Sequence, residues 1–273
     1  MNQQKIKVEY LDHLGTDLTV INAARGSFGK ESEWDYKEEK EITDSVNGYY
    51  TSRRTKTLKP ADAKLINYLA TGYRTSEWDE LLCEIRAAVM HGNPADLTEI
   101  LHTYKRRAQH FAPFCHPHLS IRMSLPIFLA RQFVKHQIGG TWSEESRRYI
   151  SDEPGVWFPK EWHTRPEDIK QGSGGLAEDQ SLCSSEAAMS VDTALATYGY
   201  LVEAGVAPEE ARTILPLNCM TTVTWTGSLL FWSRVCNQRV DSHAQLAAQE
   251  LGKLIADIVR PLYPVSWAAL TGK

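Results

Sequence analysis

The chain is short of several features that would place it quickly in a class. No apolar run approaches the roughly 18 residues that a membrane-spanning helix needs, so no membrane partner is expected. The N-terminal stretch MNQQKIKVEYLDH has no apolar core of the signal-peptide kind, and a cytoplasmic location is the expectation. There is no excess of positive charge. Lys and Arg number 30 against 34 Asp and Glu, a net of −4, which argues against nucleic acid as a partner. The five cysteines (Cys83, Cys115, Cys183, Cys219 and Cys236) include no C-x-x-C pair, and their odd number suits reduced thiols. No internal repeat and no linker-like stretch divides the 273 residues, so a single domain over 1–273 is expected. A hydrophobic content of 42% is an ordinary globular value and can fill a full core.

Against that background Arg131 to Tyr149, RQFVKHQIGGTWSEESRRY, stands out. It gathers Arg131, Lys135, Arg147 and Arg148 around Gln132, His136, Gln137, the carboxylates Glu144 and Glu145, and the hydroxyls Thr141, Ser143 and Ser146. A solvated helix face has no use for Gly139-Gly140 in its middle. Paired glycines break a helix and let the backbone come close to a ligand. The Arg147-Arg148 pair supplies forked donors of the kind that grip a phosphate at two points. Mixed donors at a turn favour anions, so these residues alone point to a phosphorylated ligand.

Apolar periodicity places the elements. KIKVEYL at 5–11 alternates as a first strand. Residues 29–57, charged and rich in Tyr, Ser and Thr, read as a surface segment. Pro60 starts a helix with Ala63, Leu65, Ile66 and Leu69 as its apolar positions. Two more helices, Asp79 to Met90 and Leu97 to Arg107, flank a Gly92-Asn93-Pro94 break. HLSIRMSL (His118 to Leu125) alternates as a strand, with Leu119, Ile121 and Met123 on one face. Pro126 opens a helix that carries Gln132, Lys135 and His136 at its C-terminal end. A polar, glycine-rich and mobile loop is expected at 163–180. Helices follow at about 182–204, at 208–214 running on past Pro216, and at 241–262, with Asp241 or Ser242 as the cap of the last.

The charged stretch resembles the signature of the flavin-dependent thymidylate synthases (the ThyX family), R-H-R-x-x-S-x-N-x-x-S-x-R. Lys135-His136-Gln137 stand in place of Arg-His-Arg, Ser143 in place of the asparagine, and Ser146-x-Arg148 closes the motif after one extra residue. Upstream, Gln109-His110-Phe111-Ala112-Pro113-Phe114-Cys115-His116 is similar to the family's G-H-x-[ST]-P-F-E-H. Ala23-Ala24-Arg25-Gly26-Ser27 is similar to its A-A-R-V-S. Ala211-Arg212-x-x-Leu215-Pro216 and Arg239-x-Asp241-x-x-Ala244-Gln245 are similar to its A-R-x-x-L-P and L-R-x-D-x-x-A-Q.

The resemblance implies an α/β (α+β) fold, a central mixed β-sheet flanked by helices, here with a helical insertion at about 71–108. It implies methylation of carbon 5 of dUMP, with methylenetetrahydrofolate as carbon donor and FAD, reduced by NADPH, as electron carrier. It also implies a homotetramer and no protein nucleophile. By position, Arg239 is the catalytic group that stabilises charge on the pyrimidine. Ser146, Arg147, Arg148 and Arg212 take the phosphate positions, and Gln132, Phe133, Val134, Lys135, Glu144 and Glu145 the other nucleotide positions. Ser27, His110, Ala112, Lys135, His136, Gln137, Glu144, Ser228 and Arg234 take the flavin positions. Lys135 keeps the charge of the expected arginine but loses its fork, and Gln137 loses the charge.

Other readings stand beside this one. UMP or dCMP could replace dUMP, and a hydroxymethyl group could replace methyl. The chain could be a nucleotide-binding relative with weakened flavin chemistry. His110, His116 and His118 could hold the metal of a nucleotide hydrolase, but no carboxylate stands at ligand spacing, so no metal is expected. Arg212 could simply pair with Glu209 or Glu210. Arg239, placed just before the expected last helix, would oppose that helix's positive end, which asks for an anion there.

Overall fold

The structure, a computed structural model, describes residues 2–44, 49–92, 94–104, 109–166 and 172–272. In chain order the elements are β1 (Lys7–Leu14), α1 (Asp17–Gly26), β2 (Asp35–Asp44), β3 (Tyr49–Thr57), α2 (Pro60–Thr71), α3 (Thr75–His91) and α4 (Pro94–Tyr104). Then come a short 3-10 turn (Ala112–Cys115), β4 (His118–Pro126), α5 (Ile127–Phe133), β5 (Gly140–Glu144), α6 (Gln180–Glu203) and α7 (Pro208–Ala211). A second 3-10 turn (Arg212–Ile214), β6 (Met220–Ser228), α8 (Leu229–Arg239), α9 (Leu246–Leu262) and α10 (Pro264–Thr271) complete the chain. The chain divides into two compact units, Met1–His13 with His118–Val259, and Leu14–Pro117 with Arg260–Lys273.

The first unit holds a four-stranded sheet in the order β1-β4-β6-β5. The pairs β4–β6 and β5–β6 are antiparallel. Period-two alternation dictates the inner face: Leu119, Ile121, Met123 and Leu125 of β4 are buried, opposite Gly227, Trp225, Val223 and Thr221 of β6. On the other face Ser120 and Thr226 share a hydrogen bond at 2.8 Å. Trp225 anchors an aromatic cluster, with ring centroids 4.9 Å from Trp142, 4.9 Å from Phe231 and 5.1 Å from Trp232, all edge-on. The sequence expectation carried a helix past Pro216. Instead Leu215 is extended and the Thr-rich MTTVTWTGS forms β6, because β-branched residues lose little rotamer freedom on a pleated surface. The strand β5 and the helix α8 were also missed.

In the second unit, α1 packs on α2, α10 and the Ala112–Cys115 turn. The carboxylate of Asp62, fully buried in α2, accepts from Arg25 and from the Ser32 hydroxyl. Asp17, at the start of α1, accepts from the backbone of Val265 (2.9 Å) and Ser266 (2.8 Å) at the start of α10. The 29–57 stretch contains an antiparallel hairpin, β2–β3, where a plain surface segment was expected. The expected helical pair is present as α3 and α4, starting four and three residues earlier than read, and Gly92 ends α3 in a left-handed conformation at φ 68°. Asn93 and residues 105–108 lie outside the described residues, as do 167–171 of the expected loop. The described flanks of that loop pair with each other, Thr164 N to Gly175 O at 2.8 Å and Gly174 N to Thr164 O at 2.9 Å.

Candidate nucleotide site

Helix α5 ends at Phe133, and the chain leaves it through a turn that carries Val134 and Lys135. The Val134 amide closes the last turn on the Ala130 carbonyl, His136 N bonds Phe133 O at 3.0 Å, and Gly139 turns the chain at φ 91°. Gly139-Gly140 lies beyond the helix, which ends at Phe133 and so does not carry Lys135 and His136 as expected, and the close approach there is to a side chain. A Cβ at Gly140 would stand 2.6 Å from the Phe231 ring, and one at its register partner Gly227 would stand 2.1 Å from it. The two glycines form a slot for a buried phenyl ring.

Arg239 is the last residue of α8, not the lead-in to a helix. The next helix, α9, starts only at Leu246, and Asp241 bonds His243 (N at 2.8 Å, Nδ1 at 2.8 Å) instead of capping it. A cation at a helix C-terminus is favourably placed, so the electrostatic case for an anion at a helix start falls away. Among the described residues three groups hold its half-buried guanidinium. Nε donates to His136 Nε2 at 3.0 Å, a terminal N–H donates to the Gln132 carbonyl at 2.9 Å, and the guanidinium carbon lies 5.3 Å from the centre of the Phe133 ring. Gln132 Nε2 in turn donates to Gln245 Oε1 at 2.6 Å. Desolvation, and after it the Arg239 charge, holds His136 below its usual 6.5; burial lowers Arg239 as well.

The turn after β5 carries the second group. Glu144 accepts from Thr221 Oγ1 and from Trp142 Nε1, both at 3.1 Å. Glu145 lies 3.9 Å from Arg147, which also donates to the Asp152 carbonyl. Arg148 Nε donates to Ser146 Oγ at 3.2 Å, and its guanidinium lies 5.1 Å from the Tyr149 ring centre on an exposed surface. Arg212 is exposed and donates to the Glu209 carbonyl at 3.3 Å, a backbone contact where a carboxylate pair was one expectation.

The expected flavin positions fall in both units. Lys135, Gln137 and Arg234 are exposed in the first. Ser228, buried there, accepts from Phe231 N at 3.2 Å as the N-cap of α8. In the second, Ser27 caps the C-terminus of α1, exposed Ala112 opens the 3-10 turn, and His110 stacks on Tyr68 at 5.8 Å. The sequence carries no signal for a cavity of about 500 Å³ in the first unit, lined by Phe128, Trp157, Phe158, Trp162 and Gln245. Cys219 is no nucleophile: burial, against the pull of Arg147, pushes its thiol up to about 11. Among the described residues no three His, Cys, Asp or Glu side chains are grouped to hold a metal.

Residues 9–265 match the family described as Thymidylate synthase complementing protein. The chain belongs to that family. It is thereby an enzyme of the methyltransferase class. Among relatives, a flavin-dependent thymidylate synthase of Thermus thermophilus is 30% identical over 263 residues, 96% of this chain and 74% of its own length. That of Kosmotoga olearia is 34% identical over 165 residues, 59% of this chain and 70% of its own. In fold the chain is similar to a UMP/dUMP methylase, PolB from Streptomyces cacaoi, crystallised with 5-Br dUMP, at a TM-score of 0.69 and 20% identity, covering 99% of this chain and 96% of that one.

Proposed function

We propose that the chain is a flavin-dependent thymidylate synthase, converting dUMP to dTMP with methylenetetrahydrofolate as carbon donor and NADPH as reductant through FAD, as a cytoplasmic homotetramer. The observation that carries this reading is the anchored guanidinium of Arg239. Carbon 5 of uracil is a poor nucleophile until negative charge builds on the ring. A fixed, partly desolvated cation beside the ring stabilises that charge without reorganising at the moment of reaction. Arg147, Arg148 and Arg212 supply guanidinium donors for the phosphate, and the Gln132 side chain, held by Gln245, is set to hydrogen-bond the base.

The donor set fits a flavin dinucleotide. Exposed Lys135 and Arg234 bring two cations for its pyrophosphate and Gln137 an amide, and Ser228 can still donate its hydroxyl proton. A flavin held by these residues would supply the hydride that turns the transferred carbon into a methyl group. The protein holds and orients it.

The test is the absorption spectrum of the purified chain, followed by product analysis with dUMP, methylenetetrahydrofolate and NADPH. A flavin band and dTMP are expected. Colourless protein that binds dUMP without turnover would leave a nucleotide-binding relative in place of this reading. Product from UMP or dCMP in parallel reactions, but not from dUMP, would move the substrate.

A further inference from the structure

An arginine has hydrogen-bond donors and no acceptor. The contact from Arg239 Nε to His136 Nε2 at 3.0 Å therefore requires a lone pair on Nε2, and so a neutral imidazole with its proton on Nδ1. We propose that His136 is a positioning residue for Arg239, holding the guanidinium in place only while the imidazole is neutral, so that taking up a proton at Nε2 releases it. This rests on the reading of Arg239 as the group that faces the pyrimidine.

The surroundings agree. Among the described residues Arg239 has two hydrogen-bonded tethers, His136 and the Gln132 carbonyl, and they lie on one short stretch of chain at and just after the end of α5. Protonated, His136 turns an N–H toward the Arg239 N–H, cation against cation, and the backbone carbonyl alone remains. Burial already disfavours the imidazolium. Among the described residues the charge that acts on the imidazole is that of Arg239 itself, from α8. The other ionisable groups of these segments are Arg131 on α5, Lys135 beside the imidazole and Arg234 on α8, all exposed, buried Cys236 on α8, and His243, paired with Asp241 beyond α8. The sign follows. Above the usual histidine value of 6.5 the imidazole is neutral in folded and unfolded chain alike. As pH falls below 6.5, the unfolded chain takes the proton first, so acid weakens both the fold and the Arg239 anchor.

His136→Gln supplies an acceptor oxygen that does not titrate, and His136→Ala supplies none. Calorimetric dUMP binding by wild type and both variants between pH 5 and 8 separates the cases, because the ligand phosphate titrates equally in all three. Below the imidazole pKa the wild type should lose affinity relative to His136→Gln by up to tenfold per pH unit, the limit for one proton. His136→Ala should bind about tenfold more weakly at pH 8, the scale of one lost hydrogen bond to a charged group. His243→Gln should keep the wild-type profile. A constant ratio between wild type and His136→Gln across the range overturns the proposal. A second readout needs no ligand and stands even if dUMP proves not to be the substrate. The Arg239 Nε–H proton resonance should be visible at pH 8, vanish as His136 titrates, and be absent in His136→Ala; a proton found on His136 Nε2 at pH 8 would sink the idea.

Discussion

On the proposed reading Arg148 and Arg212 meet the nucleotide phosphate, and among the described residues neither is paired with a carboxylate. Arg148 donates to a hydroxyl and Arg212 to a backbone carbonyl, so both guanidinium forks keep donors for a ligand. Alanine at either should weaken dUMP binding by about 1.5–3 kcal/mol, the range for hydrogen bonds to charged groups. Deoxyuridine, which has no phosphate, should bind almost unchanged. Titrating both ligands into each variant checks this, and equal losses for the two would place the arginines on the ring or in the fold. At this scale the sequence was informative about identity and poor about setting. Arg239 could be named from its motif, but its place at the end of α8 could not, because nothing around QRVDSH marks a helix that ends there. Ser228 was named for a ligand, and the strand-to-helix corner uses its oxygen as a cap.

Strand β4 and helix α5 were legible because their alternation and their proline are local signals. Strand β5 was not, because its apolar face makes sense only once Trp142 and Trp225 are brought together across the sheet, whereas β6 carried a local signal in the alternating, β-branched MTTVTWTGS that a helix running on past Pro216 displaced. The same long-range packing explains the glycines. Gly140 and Gly227 sit opposite each other on neighbouring strands, and the Phe231 ring fills the space that their side chains would need. Gly227→Ala should destabilise the protein by about 1–3 kcal/mol through overpacking, since Phe231 is 3% exposed and has nowhere to go. Shrinking the ring should relieve the clash. Urea unfolding of Gly227→Ala, Phe231→Leu and the double variant measures the coupling, and the double should be more stable than the sum of the singles predicts. Strict additivity would mean that the ring is not what the slot excludes.

Across the whole molecule the five thiols report where the chain is closed. Cys83 and Cys115 are exposed, Cys183 is half-buried on α6, and Cys219 and Cys236 are sealed at 1% and 3% exposure. Cys219 packs with Val156, Val191 and Leu195, and the Cys236 thiol lies 3.5 Å from the Gly252 carbonyl. With its thiol pushed up to about 11, Cys219 holds roughly one thiolate per thousand molecules at pH 8 even before access is considered. Burial and pKa therefore act together, and the reagent must wait for an opening of the core. Mass spectrometry of the native protein treated with a small alkylating reagent should show Cys83 and Cys115 modified first and Cys183 next. Cys219 and Cys236 should follow only at the rate of unfolding. Urea below the transition should accelerate those two and leave the exposed pair unchanged, because denaturant raises the population of opened molecules and does nothing for a thiol already in water. If Cys219 were alkylated as fast as Cys83 in native buffer, the Val156 cluster would be opening far below the global stability, and the strand end that carries Cys219 into β6 would not be rigid.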